Sequence, residues 1–285
     1  MNKILKGRFT VLLCTFFFWS SAPVFAQNYE KEFETLFAWE VKQIDEFIER
    51  FNNTDKTLIR EYSQKVDPGK EINRERLIKS LFNAENKNWN FNDISNFIQK
   101  VNNAENPVLL SFYDQDWYAK IKCDVTYKGR PETATLTLKI DRQPTGESKW
   151  IITGVQAPFL QNATASIIDV PASQDNSVTL NPVSHATDFM NIDLVSKDPR
   201  NIGNYFGSNY NQNKDLAKFI NECMNQRLEI KKANSITYHF LQVEDWVFEI
   251  QQYNRQTKNA GWLISKLIKA TPEEKATYRA QILKQ

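Results

Sequence analysis

Beyond Pro107 the apolar residues stop recurring every three or four positions and begin to recur at every second one. Helix side chains repeat about every 3.6 residues and strand side chains about every 2, so this switch separates a helical stretch from a strand-forming one. Trp117, Ala119, Ile121, Cys123, Val125 and Tyr127 define one strand face, with Tyr118, Lys120, Lys122, Asp124 and Thr126 between them. Lys128-Gly129-Arg130-Pro131 turns the chain, and Ala134, Leu136, Leu138 and Ile140 continue the apolar face. A third strand, Lys149 to Val155, follows the Pro144-Thr145-Gly146 turn. The pattern predicts an antiparallel meander with one dry face.

Upstream, Leu36, Phe37, Val41, Ile44, Phe47, Ile48 and Phe51 form the stripe of a long amphipathic helix starting at Phe33. Asp67-Pro68-Gly69 breaks it, and two further stripes follow at Leu77, Ile78, Leu81, Phe82 and at Ile94, Phe97, Ile98, Val101. Residues 158–183, rich in Ala, Ser, Asn and Pro and nearly uncharged, read as a linker with a short strand at Ile167-Ile168. The same order then returns: a helix capped by Ser184 and carrying Phe189, Met190 and Leu194, short helices at Asn201–Phe206 and Leu216–Met224, then strands around Ile230 and over Thr237–Val243, Trp246–Tyr253 and Trp262–Lys269. Asp116-Trp117-Tyr118-Ala119-Lys120-Ile121 resembles Asp245-Trp246-Val247-Phe248-Glu249-Ile250, and Lys149-Trp150-Ile151-Ile152 resembles Gly261-Trp262-Leu263-Ile264. Order and text together predict a duplicated domain.

This order of elements resembles the nuclear transport factor 2-like superfamily of cone-shaped α+β domains, over residues 28–157 and, shortened, over 184–271. The expected fold class is therefore α+β, with helices packed on a curved antiparallel sheet in two similar domains, 27–157 and 184–285, the second shortened. The resemblance implies a wide menu: steroid isomerases, polyketide cyclases, dehydratases, and non-catalytic binding or scaffolding modules of exported proteins. Fold does not choose among them.

The first 26 residues read as a secretory signal: basic Lys3, Lys6 and Arg8, an apolar run from Val11 to Trp19, and the exit Val24-Phe25-Ala26. Leu13 before Cys14 and the apolar run continuing past it argue against a lipid anchor. No later stretch approaches the roughly 20 apolar residues a membrane span needs, so a soluble periplasmic or secreted chain is expected. Taking those three residues from the 36 basic ones leaves 33 against 34 acidic, a mature charge near −1. Nucleic-acid binding needs clustered excess basic charge and is not expected.

Motifs for nucleophiles, metals and phosphate loops are missing from the sequence, and no cofactor is expected. Cys123 and Cys223 fall on apolar faces and read as free, buried thiols. In the first meander no carboxylate or imidazole points inward, and only Tyr127 offers a polar group there. Of two histidines, His185 reads as a surface residue at a helix start, whereas His239 lies mid-strand a few residues before a hairpin carrying Glu244 and Asp245. His239, Asp245 and Tyr127 are thus the candidate acid–base groups. Trp89, Tyr113, Tyr205 and Tyr210 stand in Asn-rich stretches, where aromatic rings serve sugar, peptide or protein recognition. The reading favours an exported, non-catalytic binding or scaffolding protein of the periplasm or cell envelope, with a protein or glycan as partner. The alternative is a small-molecule-binding or acid–base enzyme of the ketosteroid-isomerase-like cone type. The oligomeric state is not legible.

Overall fold

The computed structural model describes residues 34–54, 58–66, 69, 72–142, 146–163, 170, 175, 177–181, 189–207 and 210–284. The expected leader over 1–26, Asp67-Pro68, Pro144-Thr145, the Ile167-Ile168 strand and the Ser184 cap with His185 lie outside the described residues.

The expected long first helix is broken. A helical turn over 34–39 is separated by an extended stretch from α1 (Ile44–Asn52). Val41 leaves the helical stripe because its backbone is used elsewhere: its N–H donates to the Ala260 carbonyl at 3.1 Å and its carbonyl accepts from Trp262 N–H at 2.7 Å. Buried Arg50 secures the break by donating to the carbonyls of Ala38, Trp39 and Glu40, the orphan acceptors of the turn before it. Burial lowers its pKa to about 10. Three more helices follow: α2 (Leu58–Val66), α3 (Arg74–Ser80) and α4 (Phe91–Val101), the last two capped by Asn73 and Asn90.

The meander forms as its alternation requires, as β1 (Trp117–Tyr127), β2 (Arg130–Arg142) and β3 (Ser148–Gln156). After short turns over Met190–Asp193 and Pro199–Tyr205, with α5 (Leu194–Lys197) between them, come α6 (Lys214–Met224), β4 (Leu228–Phe240), β5 (Trp246–Tyr253) and β6 (Gly261–Lys269). The two strands expected around Ile230 and over Thr237–Val243 are one strand, β4. The chain closes with α7 (Pro272–Tyr278), whose Thr271 and Glu274 form a reciprocal capping box, and a wider turn over Arg279–Leu283.

All six strands belong to one antiparallel sheet, in the order β3-β2-β1-β4-β5-β6. This overturns the expected cone and the two similar domains. The sheet is open, ending at β3 and β6, and is not curled into a nuclear transport factor 2-like cone. The reason lies in β1, whose second edge pairs with β4 along its whole length, from Trp117↔Phe240 to Tyr127↔Leu228. The helices cross over as well: α1 and α4 pack on β6, whereas α6 packs on β3 and β4. Each half of the chain therefore covers strands of the other, and no second domain is evident.

The matching Asp-Trp texts have a local cause. Asp116 and Asp245 both hold a left-handed backbone, φ 68° and 62°, immediately before a strand, and both carbonyls accept from the end of a neighbouring strand, Leu241 N–H and Ala270 N–H, each at 2.8 Å. Asp tolerates that conformation better than most residues. The strands they start are not equivalent, since β1 sits between β2 and β4 and β5 between β4 and β6.

Both sheet edges carry short backbone bridges, Val41 and Phe82 on β6 and Leu180 and Phe206 on β3. Such bridges occupy groups that an open sheet would otherwise offer to another chain. The inner face is dry as expected, and an aromatic stack runs through it from Phe97 to Phe248, Phe240 and Trp117. The outer face is not fully wet. Tyr118, Leu241, Val247, Ala270 and Leu283 form a second buried cluster there beneath the C-terminal segment.

Cys123 and Cys223 are free and buried. Burial pushes the Cys123 thiol up to about 12 and the Cys223 thiol further still. Thiolate is the reactive form. Neither cysteine is expected to react with a thiol reagent at pH 8 in the folded protein, and both should react in denaturant; labelling of either in the native state would contradict this packing.

Candidate functional site

A groove of about 690 Å³ lies between α3 and α4. Its volume falls within the roughly 300–1,000 Å³ usual for ligand sites. Phe82, Ile94 and Ile98 give it an apolar floor, Trp89 and Phe91 an aromatic wall, and Asn86, Ser95, Gln99 and Asn102 a polar rim. Phe91 is 77% exposed, although it is the first residue of a helix whose later apolar residues Phe97, Ile98 and Val101 are buried. It stands at the margin of the stripe, in the first turn, where the sheet does not reach it. The two charged lining residues, Glu75 and Lys79, pair with each other at 2.5 Å across one helical turn.

The wall is held from behind. Trp89 Nε1 donates to the Asn83 carbonyl at 2.7 Å and its ring meets Phe82 edge-on, centroids 5.4 Å apart. Buried Asn83 is fixed in turn, its side-chain oxygen accepting from Arg255 Nη2 at 2.6 Å, while Arg255 pairs with Glu85 and lies over the Tyr253 ring. Asn259, in the β5–β6 connection, accepts from Ala84 N–H and donates to the Ser80 and Phe82 carbonyls. The segment between α3 and α4 is thus clamped to the hairpin beneath it.

Of the four aromatic candidates, Trp89 alone lines this groove. Tyr113 is 47% exposed in the segment before β1, its ring edge-on to Phe112. Tyr210 is half-buried against the core, its hydroxyl accepting from Val170 N–H at 3.4 Å. Tyr205 is wholly buried, which raises its hydroxyl pKa to about 12. Phe91 was not singled out by sequence; an aromatic directly after the Asn90 cap, at the edge of its own stripe, is the signal that marks it.

The acid–base candidates do not meet. His239 pairs with Tyr118 of β1, nine residues from Tyr127 on that strand, about 30 Å away. His239 is 3% exposed on the outer face, and the pocket residues do not include it. Its carboxylate is Glu249, its direct cross-strand partner, and not Asp245. Tyr278 mediates: its hydroxyl lies 2.7 Å from His239 Nδ1 and donates to Glu249 Oε1 at 2.8 Å. Desolvation by burial lowers the His239 pKa to about 4, opposed by Glu249 and assisted by Lys120 and Lys266. Glu244 and Asp245 face α4 instead, with Lys100 Nζ at 2.6 and 3.9 Å. Tyr127 packs on Phe159 and lies beside Glu222, whose carboxylate takes two bonds from Arg227 at 2.7 and 2.8 Å. That Arg227 pairing holds the Glu222 carboxyl below its ordinary range.

Among the described residues, no group of three or more His, Cys, Asp or Glu side chains could hold a metal ion, and no helix is long and apolar enough to cross a membrane. No family model matches the chain, and neither a curated protein nor a solved structure matches it.

Proposed function

We propose that this chain is an exported, non-catalytic binding protein of the cell envelope and that the groove between α3 and α4 takes an uncharged oligosaccharide. The observation that carries the reading is the fixed Trp89 and exposed Phe91 wall over an apolar floor, with both lining charges already paired to each other. A site whose charges are self-neutralised gives no reward for a charged ligand. Aromatic rings stack on the C–H faces of sugar rings, and the Asn86, Gln99 and Asn102 amides each offer a donor and an acceptor to neighbouring hydroxyls. The groove follows α4, whose 11 residues span about 16 Å, room for a few sugar units. The leader-like first 26 residues support export. The acid–base alternative finds less support, because its one imidazole is buried away from the groove.

Calorimetric titration with short neutral glucose and N-acetylglucosamine oligomers tests this. Binding is expected, and Trp89→Ala and Phe91→Ala are each expected to weaken it at least about tenfold, or roughly 1.4 kcal/mol. No binding of any neutral oligomer, or binding that survives both substitutions, would remove the proposal.

A further inference from the structure

The last 13 described residues cross the outer face of the sheet and are tied to it by polar groups at every turn. Lys275 Nζ donates to the Leu241 and Val243 carbonyls at 2.9 and 2.6 Å, Arg279 pairs with Asp116 at 2.7 Å, and Lys120 Nζ donates to the Ile282 carbonyl at 2.9 Å. The end of the segment passes so close over β3 that a side chain at Gly154 would stand 2.6 Å from the Leu283 carbonyl oxygen. At the centre of this crossing lies the buried imidazole of His239, beneath Tyr278.

The proton positions there are fixed by bonding. An ionised Glu249 can only accept, so the Tyr278 hydroxyl gives its hydrogen to Oε1 and its oxygen accepts from His239 Nδ1–H. His239 is then the neutral tautomer with a bare Nε2, and that atom is buried with no partner among the described residues. The charged or titratable groups around it are Tyr118, its cross-strand partner, and Lys120 from β1, Glu249 from β5, Lys266 from β6 and Tyr278 from α7. A second proton on His239 would place a third cation beside one carboxylate and leave a buried N–H without an acceptor, a costly arrangement. Three elements of the sheet cannot move apart cheaply; the segment lying over them can.

We propose that residues 272–284 form an acid-released strap, seated while His239 is neutral and lifted from the outer face of the sheet when His239 takes a proton at Nε2. The sign follows from the direction of the shift. Seating disfavours the charged imidazole, so the unseated state binds more protons, and seating is fully favoured above the ordinary histidine range and lost progressively as pH falls toward 4. The outer-face cluster around Tyr118, Leu241 and Val247 is uncovered in the released state.

Amide hydrogen exchange of the full protein at pH 7.5 and 4.5, corrected for the intrinsic pH dependence of exchange, tests the strap. Protection of 272–284 is expected to fall roughly 70-fold with acid while β1 and β2 stay protected. His239→Gln should abolish this response. Lys266→Met, which removes one of the two repelling ammonium groups from a mostly exposed position, raises the seated-state affinity of His239 for its second proton and should therefore weaken the acid response and move release to lower pH, and it decides the matter if the glutamine variant does not fold. The proposal is overturned if strap protection is insensitive to pH, if the acid response persists in His239→Gln, if Lys266→Met leaves the midpoint in place, or if the sheet loses protection in step with the strap.

Discussion

Gly261→Ala is expected to destabilise the protein by about 3–5 kcal/mol. A Cβ at Gly261 would fall 2.0 Å from the Val41 carbonyl oxygen and within 2.7 Å of two further Val41 backbone atoms, at a backbone φ of 82°. All three obstacles are main chain, so no rotamer change relieves them. The contact is also the place where the first layer of helices joins β6, through the two backbone hydrogen bonds that flank Val41. Relief therefore means breaking bonds worth about 1 kcal/mol each and unpacking the residues they position, in addition to the left-handed strain of about 1–2 kcal/mol. Gly129→Ala is the control: its φ is 78° but its Cβ would meet nothing within 4 Å. Urea unfolding of both variants separates the two effects. If Gly261→Ala shifts the midpoint no more than Gly129→Ala, the Val41 junction is not what holds the helices to the sheet.

That junction also shows where the sequence stops informing. Alternation along β1 and β2 states which side chains face inward, because the pleat fixes a period of about 2, and Trp117 through Val125 and Ala134 through Ile140 are buried as read. Alternation does not state which strand lies alongside. The β1–β4 pairing joins residues more than a hundred positions apart and leaves no mark in either strand, and curl is equally silent, which is how an order of elements came to resemble a cone. Val41 fits a helical stripe and still leaves the helix, since its backbone is claimed by a strand more than two hundred residues downstream.

Asparagine misled the aromatic reading in a specific way. Asn201 and Asn204 flank Tyr205 and suggest a solvated loop, yet both are buried, because their amides satisfy backbone of the neighbouring segment: Asn201 accepts from Asp175 N–H at 2.8 Å, and Asn204 donates to the Asp175 and Val178 carbonyls. A polar residue that bonds backbone is as compatible with burial as an apolar one. For His239 the error was of direction. The acids nearest in sequence are those of the hairpin, whereas the strand register sets Glu249 opposite it and the C-terminal segment supplies Tyr278.

Phe97→Ala is expected to cost about 3–5 kcal/mol and also to weaken oligosaccharide binding, although Phe97 does not line the groove. The ring is fully buried and contacts four others from three directions: Phe51 of α1, Phe82 at the end of α3, and Trp246 and Phe248 of β5, at centroid distances of 6.2, 6.0, 5.8 and 5.6 Å. Phe82 is both the floor of the groove and the ring against which Trp89 stands. Emptying the space beneath Phe82 lets it sink, and the wall loses its footing. Phe91→Ala should do the reverse, changing stability by no more than about 0.5 kcal/mol because that ring is exposed, while removing the outer part of the wall. Phe97→Leu, which keeps most of the volume, is expected to fall between the two in stability and to retain binding. Thermal or urea unfolding beside titration of the same three variants gives the full comparison. A Phe97→Ala protein that binds normally would show that Trp89 and Phe91 are positioned without the core beneath them, and one that loses less than about 1 kcal/mol would refute the aromatic stack as the element that fastens the helices to β5.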